Sequence, residues 1–134
     1  MATWIRQSAA IPIRNGQICL VTSSNRRRWV IPKGMIDPGK TAGESALNEA
    51  WEEAGLVGVL NPEPVGSYLY EKLGRTCHVT VFVMRVTEVA TNYPEKGLRS
   101  REWLSVAEAI ERIQEAGLRE ILADLPAEIE QAAM

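Results

Sequence analysis

Residues 76–86, "TCHVTVFVMRV", constrain the fold more than any other stretch of the chain. Strand alternation puts Cys77, Val79, Val81 and Val83 on one side and Phe82 and Met84 on the other, and a strand apolar on both sides needs cover above and below. It is therefore expected at the centre of a layered domain. Further alternating or apolar runs predict strands at 3–13, 16–23 and 65–73, with a short extended piece at 29–32, and the runs at 65–73 and 76–86 read as a hairpin. Two helix starts carry the S/T-x-x-E capping-box pattern, Thr41 with Glu44 and Ser105 with Glu108. The first helix should run from Ala42 to Ala54 and end at Gly55 in a left-handed cap; the second should run from Val106 to Ala116, with more helix after Gly117. Interleaved strands and helices of this kind imply an α/β fold with a mixed central β-sheet.

Composition bounds the function classes. With 134 residues, 46% hydrophobic and 24% charged, the chain suits a single domain over 1–134. No apolar stretch is long enough to span a bilayer, and Arg6 interrupts the segment a signal peptide would need, so no membrane partner and a cytoplasmic location are expected. Cys19 and Cys77 fall inside apolar runs far apart and read as buried free thiols. A formal net charge of -2 gives no general attraction to nucleic acid. No stable nucleic-acid partner is expected, and any polyanion must be met by local cation clusters. If the chain self-associates, a homodimer is the default form.

The helix "GESALNEAWEEAG", residues 43–55, poses the chemical question. At 100° per residue, Leu47, Ala50, Trp51 and Ala54 share one arc, expected to face the core, while Glu49, Glu52 and Glu53 share the other, expected to face outward. Carboxylates near a helix C-terminus meet the negative end of its dipole at a cost of about 0.3–1 kcal/mol each. Glu49 and Glu53, four residues apart, add a like-charge term, and no lysine or arginine of the helix stands on that face. A divalent cation would reverse the sign of these terms. Mg²⁺ usually bridges carboxylates to phosphate oxygens, so the cluster points to a phosphate substrate. Just upstream, "SSNRRRWVIPKGMIDPGK" supplies Arg26, Arg27, Arg28, Lys33 and Lys40 beside Gly34 and Gly39; the arginines read either as a solvated loop or as phosphate contacts beside the acidic face, and the glycines either as plain turns or as a close approach to a ligand.

Residues 34–56, "GMIDPGKTAGESALNEAWEEAGL", resemble the Nudix box, Gly-x5-Glu-x7-Arg-Glu-U-x-Glu-Glu-x-Gly-U with U a bulky apolar residue, in the register of Gly34, Glu49, Glu52, Glu53, Gly55 and Leu56. "LVTSSNRRRWVIPKG", "GLVGVL" and "PEKGLRSREWLSVAEAI" extend the resemblance to the diphosphoinositol polyphosphate and diadenosine polyphosphate hydrolase branch. The resemblance implies a Nudix-like α/β/α sandwich and Mg²⁺- or Mn²⁺-dependent hydrolysis of a diphosphate linkage in a small-molecule polyphosphate. It implies Glu49, Glu53 and the Gly34 carbonyl as metal ligands, Glu52 as a further ligand or the base that activates water, and Arg26, Arg28 and Arg75 as phosphate contacts, joined by Lys33. Glu95 is a weaker candidate for a downstream acid.

Three positions depart from the pattern: Lys40 stands for its first glutamate, Asn48 for its arginine, and Ala50 for a bulky apolar residue. The first two exchanges would keep a single cation near the site while moving it into the loop. The alternative reading is a Nudix-fold nucleotide-binding or regulatory module with weakened chemistry. Elsewhere, Trp103 and Leu104 are expected to pack the final helix onto the sheet, Tyr68 and Tyr70 to serve packing, His78 to be a hydrogen-bonded sheet residue, and "AEIEQAAM" to form a last helical turn or a frayed tail.

Overall fold

The computed structural model describes residues 4–125, so the terminal "AEIEQAAM" lies outside the described residues. In chain order the elements are β1 (Ile5–Arg14), β2 (Gln17–Thr22), β3 (Trp29–Val30), β4 (Lys33–Met35), α1 (Ala42–Ala54), β5 (Leu56–Leu60), β6 (Gly66–Lys72), β7 (Arg75–Val89), β8 (Arg101–Leu104), α2 (Val106–Arg112) and α3 (Ala116–Ala123). The strands form one mixed sheet in the order β3-β2-β1-β7-β5, with β4 paired to β1, β6 to β7 and β8 to β2. β7 is the strand of "TCHVTVFVMRV". It runs parallel to β1 from Ile5↔Cys77 to Ile13↔Arg85 and antiparallel to β6, its hairpin partner, from Gly66↔Val81 to Lys72↔Arg75.

Both faces of β7 are covered, as its alternation requires. Val79, Val81 and Val83 join Ile11, Ile13 and Leu20 beneath Leu118 and Leu122 of α3 and Ala109 of α2. Phe82, Met84 and Val86 join Ala10 and Val21 beneath Ala46, Ala50 and Ala54 of α1. The result is helix, sheet, helix: an α/β/α sandwich with a core on each side of the sheet. Each fully buried Ile, Leu or Val contributes about 1.5–3 kcal/mol relative to exposure.

Both capping boxes form: Thr41 accepts from the Glu44 N–H at 3.1 Å while the Thr41 N–H donates to Glu44, and Ser105 and Glu108 repeat the exchange. Gly55 ends α1 at φ 67. The second helix stops at Arg112, earlier than the expected Ala116, and Gly117 falls inside the first turn of α3. Geometry explains the break. Ile113 and Leu118 are both buried beneath the same core, yet five residues along a continuous helix would place them about 140° apart. Three strands, β4, β5 and β8, escaped the periodicity reading. Within β8, Trp103 and Leu104 point to opposite faces, so Leu104 packs beneath α2 and α3 as expected whereas Trp103 packs with the α1 core.

Candidate active site

Helix α1 meets the sheet through Ala46, Ala50 and Ala54, all 0% exposed. Alanines one turn apart let the helix lie close to β1, and no bulky side chain fits in that seam. This rotates the helix away from the orientation its hydrophobic pattern suggested. Trp51 is turned out, 36% exposed, and Glu53 is turned in, 4% exposed. The expected outward-facing acidic arc is thus corrected at its most important member.

Burial sets Glu53 against the backbone of β4, where the Lys33 N–H donates to its Oε1 at 3.4 Å. One turn earlier, the Glu49 carboxylate lies against Gly34 so closely that a Cβ at that position would overlap it. A side chain at Gly34 would therefore displace the Glu49 carboxylate. The two carboxyl groups, at i and i+4, act on each other's ionisation. Burial, reinforced by Glu49, pushes the Glu53 carboxyl up to about 8, with Arg99 pulling the other way. Glu49 is likewise raised, chiefly by burial and then by the charges of Glu52, Glu95 and Asp37 around it. Two carboxylates in one half-buried place cannot both ionise freely without a cation.

Arg99 is the nearest cation. Its Nη2 lies 3.8 Å from Glu53 Oε2, its Nε donates to Glu95 Oε1 at 2.8 Å, and its Nη1 donates to the Thr22 carbonyl at 2.9 Å. A second arginine, Arg101, donates to the carbonyl of Ala54 at 2.7 Å and of Ala90 at 3.0 Å, capping the α1 C-terminus while its guanidinium stacks on Tyr93. The statement that no cation relieves the acidic face thus holds only within the helix; relief comes from the 90–101 segment, far along the chain. Lys40 does not supply it, since its charge acts on Glu44 in the first turn of α1.

Beside Glu53 opens a cavity of about 150 Å³, walled by Arg28, Lys33, Tyr70, Lys72 and Arg99 and rimmed by Gln7 and the 23–25 loop. Four cations face one carboxylate in it, which suits a polyanion. Lys33 is half-buried, and the partial loss of water around its ammonium lowers its pKa against the opposing charges of Glu115 and Glu53; its Nζ lies 5.1 Å from the Tyr70 ring centroid. Tyr70 donates from its hydroxyl to Gln7 Oε1 at 2.8 Å. It therefore belongs to the cavity wall as well as to packing, while Tyr68 is buried in the core.

Of the four cations expected to contact phosphate, Arg28 and Lys33 line this cavity, whereas Arg26 donates to the Gly97 carbonyl at 3.2 Å and Arg75 is exposed at the β6–β7 turn. Lys72, the register partner of Arg75, lines the cavity in its place. Sequence reasoning overlooked Lys72 and Arg99, and it assigned Tyr70 to packing alone. His78 stacks on Trp4, with centroids 5.6 Å apart and the rings 8° from parallel, away from the cavity.

Among the described residues, no three His, Cys, Asp or Glu side chains gather closely enough to form a ready-made metal cage. The expected trio of Glu49, Glu52 and Glu53 is represented by a pair: Glu52 adds its charge near Glu49, and its backbone carbonyl accepts from the Glu95 N–H at 2.9 Å. The pair still fits the chemistry of Mg²⁺, which takes one or two carboxylates and completes its octahedron with water and phosphate oxygens.

Comparison with known proteins agrees with the box and the fold. The NUDIX domain model matches residues 4–125. "Nudix hydrolase 12, mitochondrial" of Arabidopsis thaliana is 36% identical over 103 residues, 71% of this chain and 51% of that protein. "Diphosphoinositol polyphosphate phosphohydrolase 3-beta" of Bos taurus is 33% identical over 104 residues, 75% of this chain and 62% of that protein. The chain thus spans between about half and two thirds of the length of these relatives. The structure of a Caenorhabditis elegans Ap4A hydrolase superposes with TM-score 0.78 over 95% of this chain and 99% of that one, at 18% identity, which establishes the shared fold. With the domain model matched from Trp4 to Leu125, the chain belongs to the NUDIX domain family.

Proposed function

We propose that the protein hydrolyses a diphosphate linkage in a small-molecule polyphosphate, of dinucleoside polyphosphate or diphosphoinositol polyphosphate type, with Mg²⁺ or Mn²⁺. The observation that carries this reading is the single cavity in which buried Glu53, backed by Glu49, faces Arg28, Lys33, Lys72 and Arg99. Glu49 and Glu53, with the Gly34 carbonyl, would hold the cation, whose chemistry is to neutralise charge on phosphoryl oxygens. Arg28, Lys33 and Lys72 hold the substrate phosphates and fix which phosphorus faces the carboxylates. Arg99, braced by Glu95 and the Thr22 carbonyl, orients Glu53. Glu52 accepts the proton of the attacking water as the new P–O bond forms and the anhydride P–O bond breaks, and returns it to solvent. Rate enhancement rests on positioning and charge neutralisation. Buried free Cys19 and Cys77 suit a reducing compartment such as the cytosol.

The test is incubation with both polyphosphate classes in Mg²⁺ and in Mn²⁺, in oxygen-labelled water. The expected result is cleavage of an anhydride with label on one product phosphate. Binding without product would overturn the hydrolase reading in favour of a binding module, which the Arg99–Glu53 contact would then explain. Glu53→Gln should lower turnover by about a hundredfold or more, as loss of a transition-state charge partner does, while its circular dichroism and cooperative melt remain those of a folded domain. Near wild-type turnover in that variant would remove Glu53 from the mechanism.

A further inference from the structure

Helix α3 opens on Glu115, whose side chain makes no cap hydrogen bond to the helix. It is instead 7% exposed, with Oε1 3.4 Å from Arg28 Nη1. Its other oxygen, Oε2, is buried without a hydrogen-bond partner. The same carboxylate is the strongest anionic neighbour of half-buried Lys33, ahead of Glu53. Arg28 and Lys33 line the cavity, while Glu115 does not, so the carboxylate meets Arg28 outside the cavity lining. The helix is brought there by close packing: at Gly117 an added Cβ would come 2.5 Å from Tyr68 Cβ, so only glycine lets α3 press against β6 at that point.

A carboxylate accepts burial only where a cation compensates for its desolvation. Arg28, with five donors in a rigid fork, can give one to Glu115 and keep the rest for phosphate. Without that anchor its 38% exposed side chain is free to swing into solvent. On the reading of the cavity as a polyphosphate site, we infer that Glu115 is a positioning residue, which holds Arg28 and thereby sets the affinity of this wall for phosphate.

The test uses Glu115→Ser and Glu115→Gln. Serine is among the best helix N-caps, so Glu115→Ser should keep or raise the melting temperature while removing the carboxylate. Calorimetry with inorganic tripolyphosphate should give a Kd about five- to tenfold weaker than wild type in both variants, the scale of a lost charge-assisted contact. For a hydrolysed substrate KM should rise by a similar factor with kcat within about twofold, the pattern of lost uniform binding. In an Arg28→Ala background Glu115→Ser should weaken binding no further, since the effect runs through Arg28. Unchanged or tighter tripolyphosphate binding by both variants, a loss confined to kcat, or full additivity with Arg28→Ala would overturn the inference alone. Failure of the wild-type protein to bind tripolyphosphate would overturn the reading of the cavity as well.

Discussion

Glu53 occupies the least comfortable position in the chain: 4% exposed, in the last turn of α1, beside another carboxyl and 3.8 Å from Arg99. Burial and Glu49 hold its carboxyl up to about 8 against the ordinary value of 4.5. In the metal-free protein the native state therefore keeps a proton that the unfolded chain releases, and the linkage has a definite sign. The contribution to stability is full below the unfolded value and is lost as pH rises through the folded one. Thermal melts in EDTA should show the wild type losing stability relative to Glu53→Gln between pH 4.5 and about 8, and parallel profiles would contradict the burial of an ionisable pair. The residue types of this site were legible in the helix, since three glutamates before a glycine cap demand compensation. Their orientation was not, because Ala46, Ala50 and Ala54 carry little weight in a hydrophobic pattern yet decide which face meets the sheet.

At the scale of elements, start signals were the most legible feature, because a capping box is a local exchange of two hydrogen bonds. Thr41 and Ser105 needed nothing from the rest of the fold to be read. Stop signals depended on tertiary packing. The break between α2 and α3 is dictated by two residues, Ile113 and Leu118, that must reach one core from different places. Likewise β5 and β8 are held by their partners: Val57 and Val59 of β5 are exposed, and "REWL" has no alternation to betray it. The fit of α3 on β6 gives a direct check. Gly117→Ala places a methyl group against Tyr68 and should cost about 1–3 kcal/mol through overpacking, measured by urea unfolding. A neutral effect would mean that the helix can move aside freely.

Across the whole molecule, the site is assembled from segments far apart in sequence. The parallel β1–β7 pair fixes the sheet on which α1 lies, and β4, paired to β1 through Ser8↔Gly34, brings its backbone under Glu49 and Glu53. The 90–101 segment closes over the end of α1, with Ala90 N–H to the Gly55 carbonyl at 2.8 Å, Glu95 N–H to Glu52, and Arg101 to Ala54. Arg99 and Arg101 thus temper an acidic helix terminus that looked uncompensated in sequence, and only the folded topology could reveal them. What Arg99 leaves unfinished is the charge of the carboxyl pair, since its contact with Glu53 is long and partly diverted to Glu95. On the proposed reading, a divalent ion would neutralise that remainder. Manganese titration followed by electron paramagnetic resonance, with and without tripolyphosphate, measures this most directly. Wild type should bind Mn²⁺ more tightly when tripolyphosphate is present, and folded Glu49→Gln and Glu53→Gln should each bind it at least about tenfold more weakly. Equal Mn²⁺ affinity in wild type and both variants would contradict the account.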